Sequence, residues 1–266
     1  MRIEKTRISG LSVKYFIPEH VSYPYPLLFI HGMWGGKWQW ENYVQFACDN
    51  GFECYTVDLR GHHESTMTIG DLGNVSVQDH IKDLQKVIRK LDPVIIPVGH
   101  SMGGLIAQSL AATIDAPCAV FIASAPPKGI SVLTWNLLKR MSHPYYLQAM
   151  CCNKSFKPCW EDARELLYNC LDTVGAMDAY KNLMFDSGRV ARELALSLIG
   201  VEQKMRCPTL VVSPREDCLI SPLVQKKIAK RYNSDFLEIQ GGHMVVTSEK
   251  GGDTIKAILD WVRNTP

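Results

Sequence analysis

The stretch Gly99-His100-Ser101-Met102-Gly103-Gly104 constrains the fold of this chain more than any other. It lies between an apolar, β-branched run at 93–98 and a helical pattern at 105–112, so a buried strand is expected to turn sharply into a helix at Ser101. Side chains beside a serine in such a strained turn would clash, which explains the flanking glycines. The free amide groups at the start of the helix can stabilise a developing oxyanion. The spacing Gly-x-Ser-x-Gly is typical of a nucleophile elbow, and a Gly-rich turn with an incidental serine is the alternative.

The rest of the chain alternates short apolar strands with helical patterns. Strands of a hairpin are predicted at 2–8 and 11–17, and further strands at 27–30, 52–57, 93–98, 117–123, 209–212 and 235–239. Helices are predicted at 38–50, 75–91, 105–112, 223–232 and 254–262. This alternation predicts an α/β fold, with a mostly parallel central sheet and helices on both of its faces.

Residues 128–204 depart from the alternation. They contain no convincing strand, and their helical pieces are rich in aromatic residues and methionine. We therefore expect a helical cap at 128–204, inserted into a core formed by 1–127 and 205–266. Its apolar side chains either line a site for an apolar substrate group or form the cap's own core, and the sequence leaves both interpretations open.

Composition limits the partners and the compartment. The net charge is +2 and no basic block is present, which disfavours nucleic acid and anionic membranes as partners. No apolar run approaches the roughly 20 residues of a membrane span, and the charged N-terminus does not resemble a signal peptide. The nine irregularly spaced cysteines then predict reduced thiols and a cytoplasmic location. No Cys/His cluster has the spacing of zinc ligands, so we expect neither a metal nor a cofactor.

These motifs, in this order, resemble the α/β-hydrolase superfamily. The resemblance covers about residues 10–263 and rests on His31-Gly32 before a Gly-rich loop, on Asp58-Leu59-Arg60-Gly61-His62, and on the elbow. It implies the α/β-hydrolase fold with an inserted cap, and the chain order nucleophile, acid, histidine. One departure is His63, where many members have glycine.

The resemblance and the residues together indicate a catalytic triad. Ser101 is the candidate nucleophile, and a serine hydroxyl needs an adjacent base. His243, on a Gly-Gly turn after a predicted strand, occupies the position of the family's catalytic histidine. Asp217 follows the strand at 209–212 in the family's acid position, and Glu216 is the alternative acid. The other histidines near these motifs are expected to be structural or ordinary loop residues: His31, His62, His63 and His100.

An oxyanion hole needs two amide donors aimed at one point. The resemblance places one at Met102, directly after the nucleophile, and the other at Met33, with Trp34 as the substitute. These are backbone donors, so their side chains are free to shape the pocket, and Trp34 is also a candidate substrate-binding residue.

The predicted function is that of a serine hydrolase, which cleaves a carboxylic ester, lactone or thioester through an acyl-enzyme. The substrate would be a small molecule with an apolar portion. Two alternatives stay open, namely C–C bond hydrolysis or hydroxynitrile-type lyase chemistry on the same triad, and a non-catalytic ligand receptor. A cap lysine or a threonine beside the oxyanion loop would favour the lyase. The sequence leaves the oligomeric state open.

Overall fold

An eight-stranded sheet forms the centre of the computed structural model, which describes residues 1–65, 67, 69–91, 94–248 and 251–265. The strands are β1 (Arg2–Ile8), β2 (Leu11–Ile17), β3 (Leu27–Ile30), β4 (Cys54–Val57), β5 (Ile96–His100), β6 (Ala119–Ile122), β7 (Ser155–Phe156), β8 (Asp186–Ser187), β9 (Thr209–Pro214) and β10 (Asp235–Ile239). Their order in the main sheet is β1-β2-β4-β3-β5-β6-β9-β10. The pairs β1–β2 and β2–β4 are antiparallel, and every other neighbouring pair is parallel. The predicted mostly parallel sheet is confirmed; Pro93, at the start of the predicted strand 93–98, lies outside the described residues.

Helices cover both faces of the sheet. They are α1 (Glu41–Asp49), α2 (Ile69–Leu72), α3 (Val77–Ile88), α4 (Met102–Thr113), α5 (Trp135–Met141), α6 (Pro144–Cys151), α7 (Trp160–Asp162), α8 (Thr173–Lys181), α9 (Gly188–Ala195), α10 (Pro222–Tyr232) and α11 (Gly251–Asn264). One apolar core contains side chains of α3, α4 and α10. The other contains side chains of α1 and α11. Every residue of β3, β4, β5 and β6 is buried, as expected for strands that are covered on both faces.

The segment 128–204 contains α5 to α9 and a short antiparallel pair, in which Ser155 and Phe156 of β7 lie opposite Ser187 and Asp186 of β8. The expectation of no strand in this segment is therefore wrong for this pair, because two-residue strands are too short to produce the alternating pattern from which strands are predicted. A hydrogen bond joins this segment to the loop after β3: the Met184 N–H donates to the Trp34 carbonyl at 2.8 Å. The division into a core and an inserted cap at 128–204 stays a prediction.

Close packing at the start of α4 fixes the position of Ser101. A Cβ atom on Gly99 would lie 2.0 Å from the carbonyl oxygen of Gly103, and a Cβ on Gly103 would lie 2.2 Å from the carbonyl oxygen of Ile30. These neighbours are backbone atoms and cannot rotate away. The glycines of the elbow therefore allow α4 to approach the ends of β3 and β5.

We expect Gly103→Ala to destabilise the fold by about 1–3 kcal/mol, the usual cost of overpacking. The matched control is Gly252→Ala in α11, where a Cβ would meet no heavy atom within 4 Å. Gly252 is the second residue of α11, and alanine has a higher helix propensity than glycine, so this control should be no less stable than the wild type. Urea unfolding measures both changes, and a Gly103 variant as stable as the wild type would contradict the proposed crowding.

Candidate active site

Ser101 lies between the end of β5 and the first residue of α4 with a backbone φ of 55°. This left-handed conformation is strained for a residue with a side chain, and such strain is concentrated at functional sites. The backbone holds it in place, because the Ser101 N–H donates to the carbonyl of Ile122 at 3.0 Å and the Ser101 carbonyl accepts from the Ala125 N–H at 2.9 Å. The serine hydroxyl is thus presented at the carboxyl edge of the sheet.

A chain of hydrogen bonds joins Ser101, His243 and Asp217. The Nε2 atom of His243 lies 3.0 Å from Ser101 Oγ, and its Nδ1 atom lies 2.9 Å from Asp217 Oδ2. All three residues are buried. Since a carboxylate only accepts, the imidazole proton is on Nδ1, and Nε2 is free to accept the proton of the serine hydroxyl. The arrangement can therefore raise the nucleophilicity of Ser101.

The two adjacent carboxylates after β9 have different partners. Asp217 Oδ1 accepts from the N–H groups of Leu219 and Ile220 at 2.9 and 2.8 Å, which aims Oδ2 at the histidine. Glu216 is exposed, and its carboxylate accepts from the N–H of Gly241. The structure therefore brings Asp217, and not Glu216, to the imidazole. The contact of Glu216 with the loop that carries His243 was missed by sequence reasoning.

His100, which the sequence predicts to be a structural or ordinary loop residue, also contacts the loop that carries His243. Its Nε2 lies 2.8 Å from the carbonyl oxygen of His243, and because a carbonyl only accepts, Nε2 carries the proton. The two rings lie 5.0 Å apart between their centroids. Burial, together with the neighbouring His243, lowers the pKa of His100 to about 3, so the ring stays neutral. His100 thus supports the main chain of His243, and the adjacency of position 100 to the elbow is the signal that could have suggested it.

The predicted oxyanion donors belong to the start of α4 and to the loop after β3. Met102 is the first residue of α4, so its N–H has no acceptor within the helix. Met33 lies in a turn closed by the Gly35 N–H and the Gly32 carbonyl at 3.2 Å. The N–H of Trp34 donates to Asp186 Oδ2 at 2.9 Å and is therefore already engaged. Of the two candidates in this loop, the geometry favours Met33.

A cavity of about 150 Å³ opens beside Ser101. Apolar side chains from the loop after β3 and from the segment 128–204 form much of its lining: Met33, Trp34, Met150, Phe156 and Leu194. Three further lining residues are polar, but they bind one another, since Arg140 pairs with Asp162 and the Tyr146 hydroxyl donates to the same carboxylate. The cavity therefore suits an apolar group. Trp34 lies in its wall, and its role in substrate binding stays a prediction.

The histidines of the β3 and β4 loops differ in their surroundings. His31 is buried, and its Nε2 accepts from the Leu59 N–H at 3.0 Å, which ties the two loops together. His62 is also buried and lies 3.0 Å from Asp186, a contact that the sequence did not predict. His63 has a φ of 42°, so this loop keeps a left-handed residue where many α/β-hydrolases have glycine.

Within the described part of the chain, no three His, Cys, Asp or Glu side chains are grouped so that they could hold a metal ion. None of the helices in the described ranges has the length and apolar character that crossing a bilayer requires. No disulfide joins any of the nine cysteines, all of which lie within the described ranges.

Comparisons with known proteins agree with this architecture. An esterase from Thermogutta terrifontis is 18% identical, with a TM-score of 0.71, and the match covers 100% of this chain and 99% of that one. A putative aryl esterase from Burkholderia cenocepacia is 20% identical, with a TM-score of 0.70 and 98% of each chain covered. An enol-lactonase from Burkholderia xenovorans is 18% identical, with a TM-score of 0.69, covering 98% of this chain and 100% of that one. At these identities the likeness establishes the fold alone.

No curated protein matches the sequence. The model of the alpha/beta hydrolase family, in contrast, matches residues 27–255, which include the elbow, Asp217 and His243. With the parallel sheet and the chain order of these residues already described, the conclusion is that the chain belongs to the alpha/beta hydrolase family.

Proposed function

We propose that this protein is a serine hydrolase that cleaves a carboxylic ester, lactone or thioester of a small molecule. The observation that carries the proposal is the hydrogen-bonded chain of Ser101, His243 and Asp217 beside an apolar cavity. Membership of the alpha/beta hydrolase family supports it. Solved neighbours described as an esterase, an enol-lactonase and a thioesterase domain leave the choice among these three bonds open.

In the proposed mechanism, Ser101 Oγ attacks the carbonyl carbon of the substrate while His243 Nε2 takes the hydroxyl proton. The carbonyl oxygen becomes an oxyanion that accepts from the N–H groups of Met33 and Met102. Collapse breaks the bond to the leaving alcohol or thiol, which receives the proton from His243. Water then attacks the acyl-enzyme with the same base, and the carboxylic acid and free Ser101 are released. Asp217 stabilises the imidazolium that forms in both steps.

The size of the cavity limits the apolar part of the substrate. A cavity of about 150 Å³ accommodates a group of roughly the size of benzene. We therefore expect short or aromatic acyl groups to be preferred over long alkyl chains. The side chains of Met150 and Leu194 contribute to this limit, since both belong to the lining.

The lyase alternative has less support. A lysine from the cap or a threonine beside the oxyanion loop would favour lyase chemistry. The residue at position 33, in the oxyanion loop, is methionine and not threonine. The ammonium group of Lys157, in the segment 128–204, donates to the Tyr180 carbonyl at 2.9 Å, and this lysine is not among the described residues that line the cavity beside Ser101.

Ser101→Ala should reduce kcat for p-nitrophenyl esters by about 10⁴–10⁶-fold, because the loss of one triad member disables the unit. The matched control is Ser213→Ala in β9, a buried serine whose hydroxyl has no hydrogen-bond partner among the described residues. Steady-state kinetics on both variants, with circular dichroism to verify folding, measures the effect. Near-wild-type turnover by a folded Ser101 variant would exclude this serine as the nucleophile.

Asp217→Asn should lower kcat by up to about 10⁴-fold, because an amide favours the wrong tautomer of His243. Glu216→Gln is the control, since a glutamine oxygen can still accept the Gly241 N–H, and we expect a change of no more than a few-fold. The comparison uses kcat on the best ester found. If Glu216→Gln lost its activity and Asp217→Asn kept it, Glu216 would be the acid of the triad and the assignment to Asp217 would be wrong.

Met150→Ala should shift the preferred acyl group of p-nitrophenyl esters towards longer chains, because it removes volume from the cavity wall. Leu147→Ala is the matched control, since Leu147 lies on the same helix, α6, but is exposed. The measurement is kcat/KM across a series from acetate to decanoate with benzoate included. An unchanged series for the Met150 variant would argue that the acyl group binds elsewhere.

A further inference from the structure

Trp34 has an unusual backbone conformation directly beside the proposed oxyanion donor Met33. Its φ is 64°, at the third position of the turn from Gly32 to Gly35, where a positive φ normally requires glycine. Such strain persists only where the surrounding structure holds it. The conformation of Trp34 therefore needs an explanation in the contacts around it.

Three hydrogen bonds from the segment 128–204 hold Trp34. Its N–H donates to Asp186 Oδ2 at 2.9 Å, and its carbonyl accepts from the Met184 N–H at 2.8 Å. Its indole N–H donates to the carbonyl of Phe156 at 3.2 Å. The peptide that joins Met33 to Trp34 is therefore oriented by a carboxylate that belongs to a distant part of the chain.

Asp186 is fully buried, and a buried carboxylate is costly unless it is paired and hydrogen-bonded. Its Oδ1 accepts from the N–H of Ser187 at 2.6 Å. Its Oδ2, besides accepting from Trp34, lies 3.0 Å from Nε2 of His62, which is also fully buried. His62 is thus the ionisable partner that offsets the cost of burying the Asp186 carboxylate.

The contacts of His62 specify its protonation state. Nε2 faces the Asp186 carboxylate, and Nδ1 lies 3.1 Å from the carbonyl oxygen of Arg60. Both of these groups only accept, so both ring nitrogens must donate, and the ring is an imidazolium. Burial by itself lowers the pKa of His62, but the charge of Asp186 and the two hydrogen bonds outweigh it and raise the pKa above the ordinary value. Burial by itself raises the pKa of Asp186, but the charge of His62 and its hydrogen bond outweigh burial and lower the pKa to about 2.

The neighbouring imidazoles of His31 and His80 are neutral. Burial and the proximity of His62 lower the pKa of His31, whose Nε2 accepts from a backbone N–H. Burial lowers the pKa of His80, on α3, to about 4. The titratable and charged groups around His62 come from four parts of the chain. They are His31 after β3, Asp58, Arg60 and His63 in the loop after β4, His80 and Asp83 on α3, and Asp186 in β8.

We propose that the His62–Asp186 ion pair is a positioning device, which fixes the Trp34 peptide and thereby aims the Met33 N–H at the oxyanion formed on Ser101. Asp186 and His62 touch no reacting atom in this proposal and act through the loop. The catalytic part of the inference rests on the proposed function, whereas the clamp on Trp34 does not. The segment 128–204 thus completes the oxyanion loop in addition to lining the cavity.

The His62–Asp186 ion pair predicts that kcat falls at alkaline pH. A histidine whose pKa is raised by folding keeps its charge below that pKa and loses it as the pH rises through it. Above that pH the Asp186 carboxylate loses its cationic partner, and the hold on Trp34 weakens. We therefore expect kcat to fall on the alkaline side as His62 deprotonates, with little change in KM, because the oxyanion forms only after binding.

His62→Gln and Asp186→Asn should each lower kcat by about 10–100-fold, because a misplacement of about one ångström can cost about 10²-fold in rate. We expect KM to change by a few-fold at most. The alkaline fall in kcat should disappear in His62→Gln, since glutamine does not titrate. The matched control is His80→Gln, because His80 is equally buried beside His62 but its ring nitrogens have no partner among the described residues. The control should keep both the rate and the alkaline fall. A His62 variant with wild-type kcat, or with the alkaline fall intact, would overturn the proposal.

Two measurements on the resting protein test the clamp without any substrate. Nitrogen-15 NMR of histidine-labelled wild-type protein should detect an imidazole with protons on both nitrogens that is absent from the spectrum of His62→Gln. The Trp34 amide should exchange with solvent at least 10-fold faster in His62→Gln than in the wild type, and no faster in His80→Gln. A neutral His62, or unchanged exchange at Trp34, would overturn the proposal even in a fully active enzyme. If Ser101→Ala kept its activity, the proposed function would fail, while these two readouts would still decide on the clamp.

Discussion

The approach of α4 to the ends of β3 and β5 is the constraint on which the rest of the site depends. The backbone of Gly103 lies against the Ile30 carbonyl with no room for a side chain. This contact brings the start of α4 beside the loop after β3, and these two segments carry the proposed oxyanion donors Met102 and Met33. Ser101 has its left-handed conformation at the junction of β5 and α4. The remaining groups of the site come from loops that converge on this fixed serine.

The loops after β9 and β10 carry the proposed acid and base, and each is held by contacts outside the proposed triad. Asp217 is aimed by two backbone amides, and His243 is supported through its own carbonyl by His100. Glu216 ties the two loops together through the Gly241 N–H. In such a site, a catalytic rate depends on groups that never touch the substrate, because they limit how far the reacting atoms can move.

The sequence predicted the sheet, the elbow and the order of Ser101, Asp217 and His243, because these features follow from local patterns and from a family resemblance. It did not predict the partners of His62 and His100, since these contacts join residues 124 and 143 positions apart. No local pattern distinguishes a buried imidazolium from a loop histidine. Asp186 was missed for the same reason, as it lies in a two-residue strand within a segment that otherwise reads as helical. The preference for Met33 over Trp34 came from the resemblance, and the structure adds a physical reason for it, because the Trp34 amide already donates to Asp186.

The central claim is that Ser101 is a nucleophile activated by His243, and covalent labelling tests it most directly. A fluorophosphonate reacts with an activated serine and leaves a stable adduct, whose position mass spectrometry of the peptides can determine. The account predicts one adduct per chain, on Ser101, with a labelling rate that falls by orders of magnitude in a His243→Ala variant. Complete inactivation with the adduct on another residue, such as one of the exposed cysteines, would contradict it, as would labelling of Ser101 that does not depend on His243.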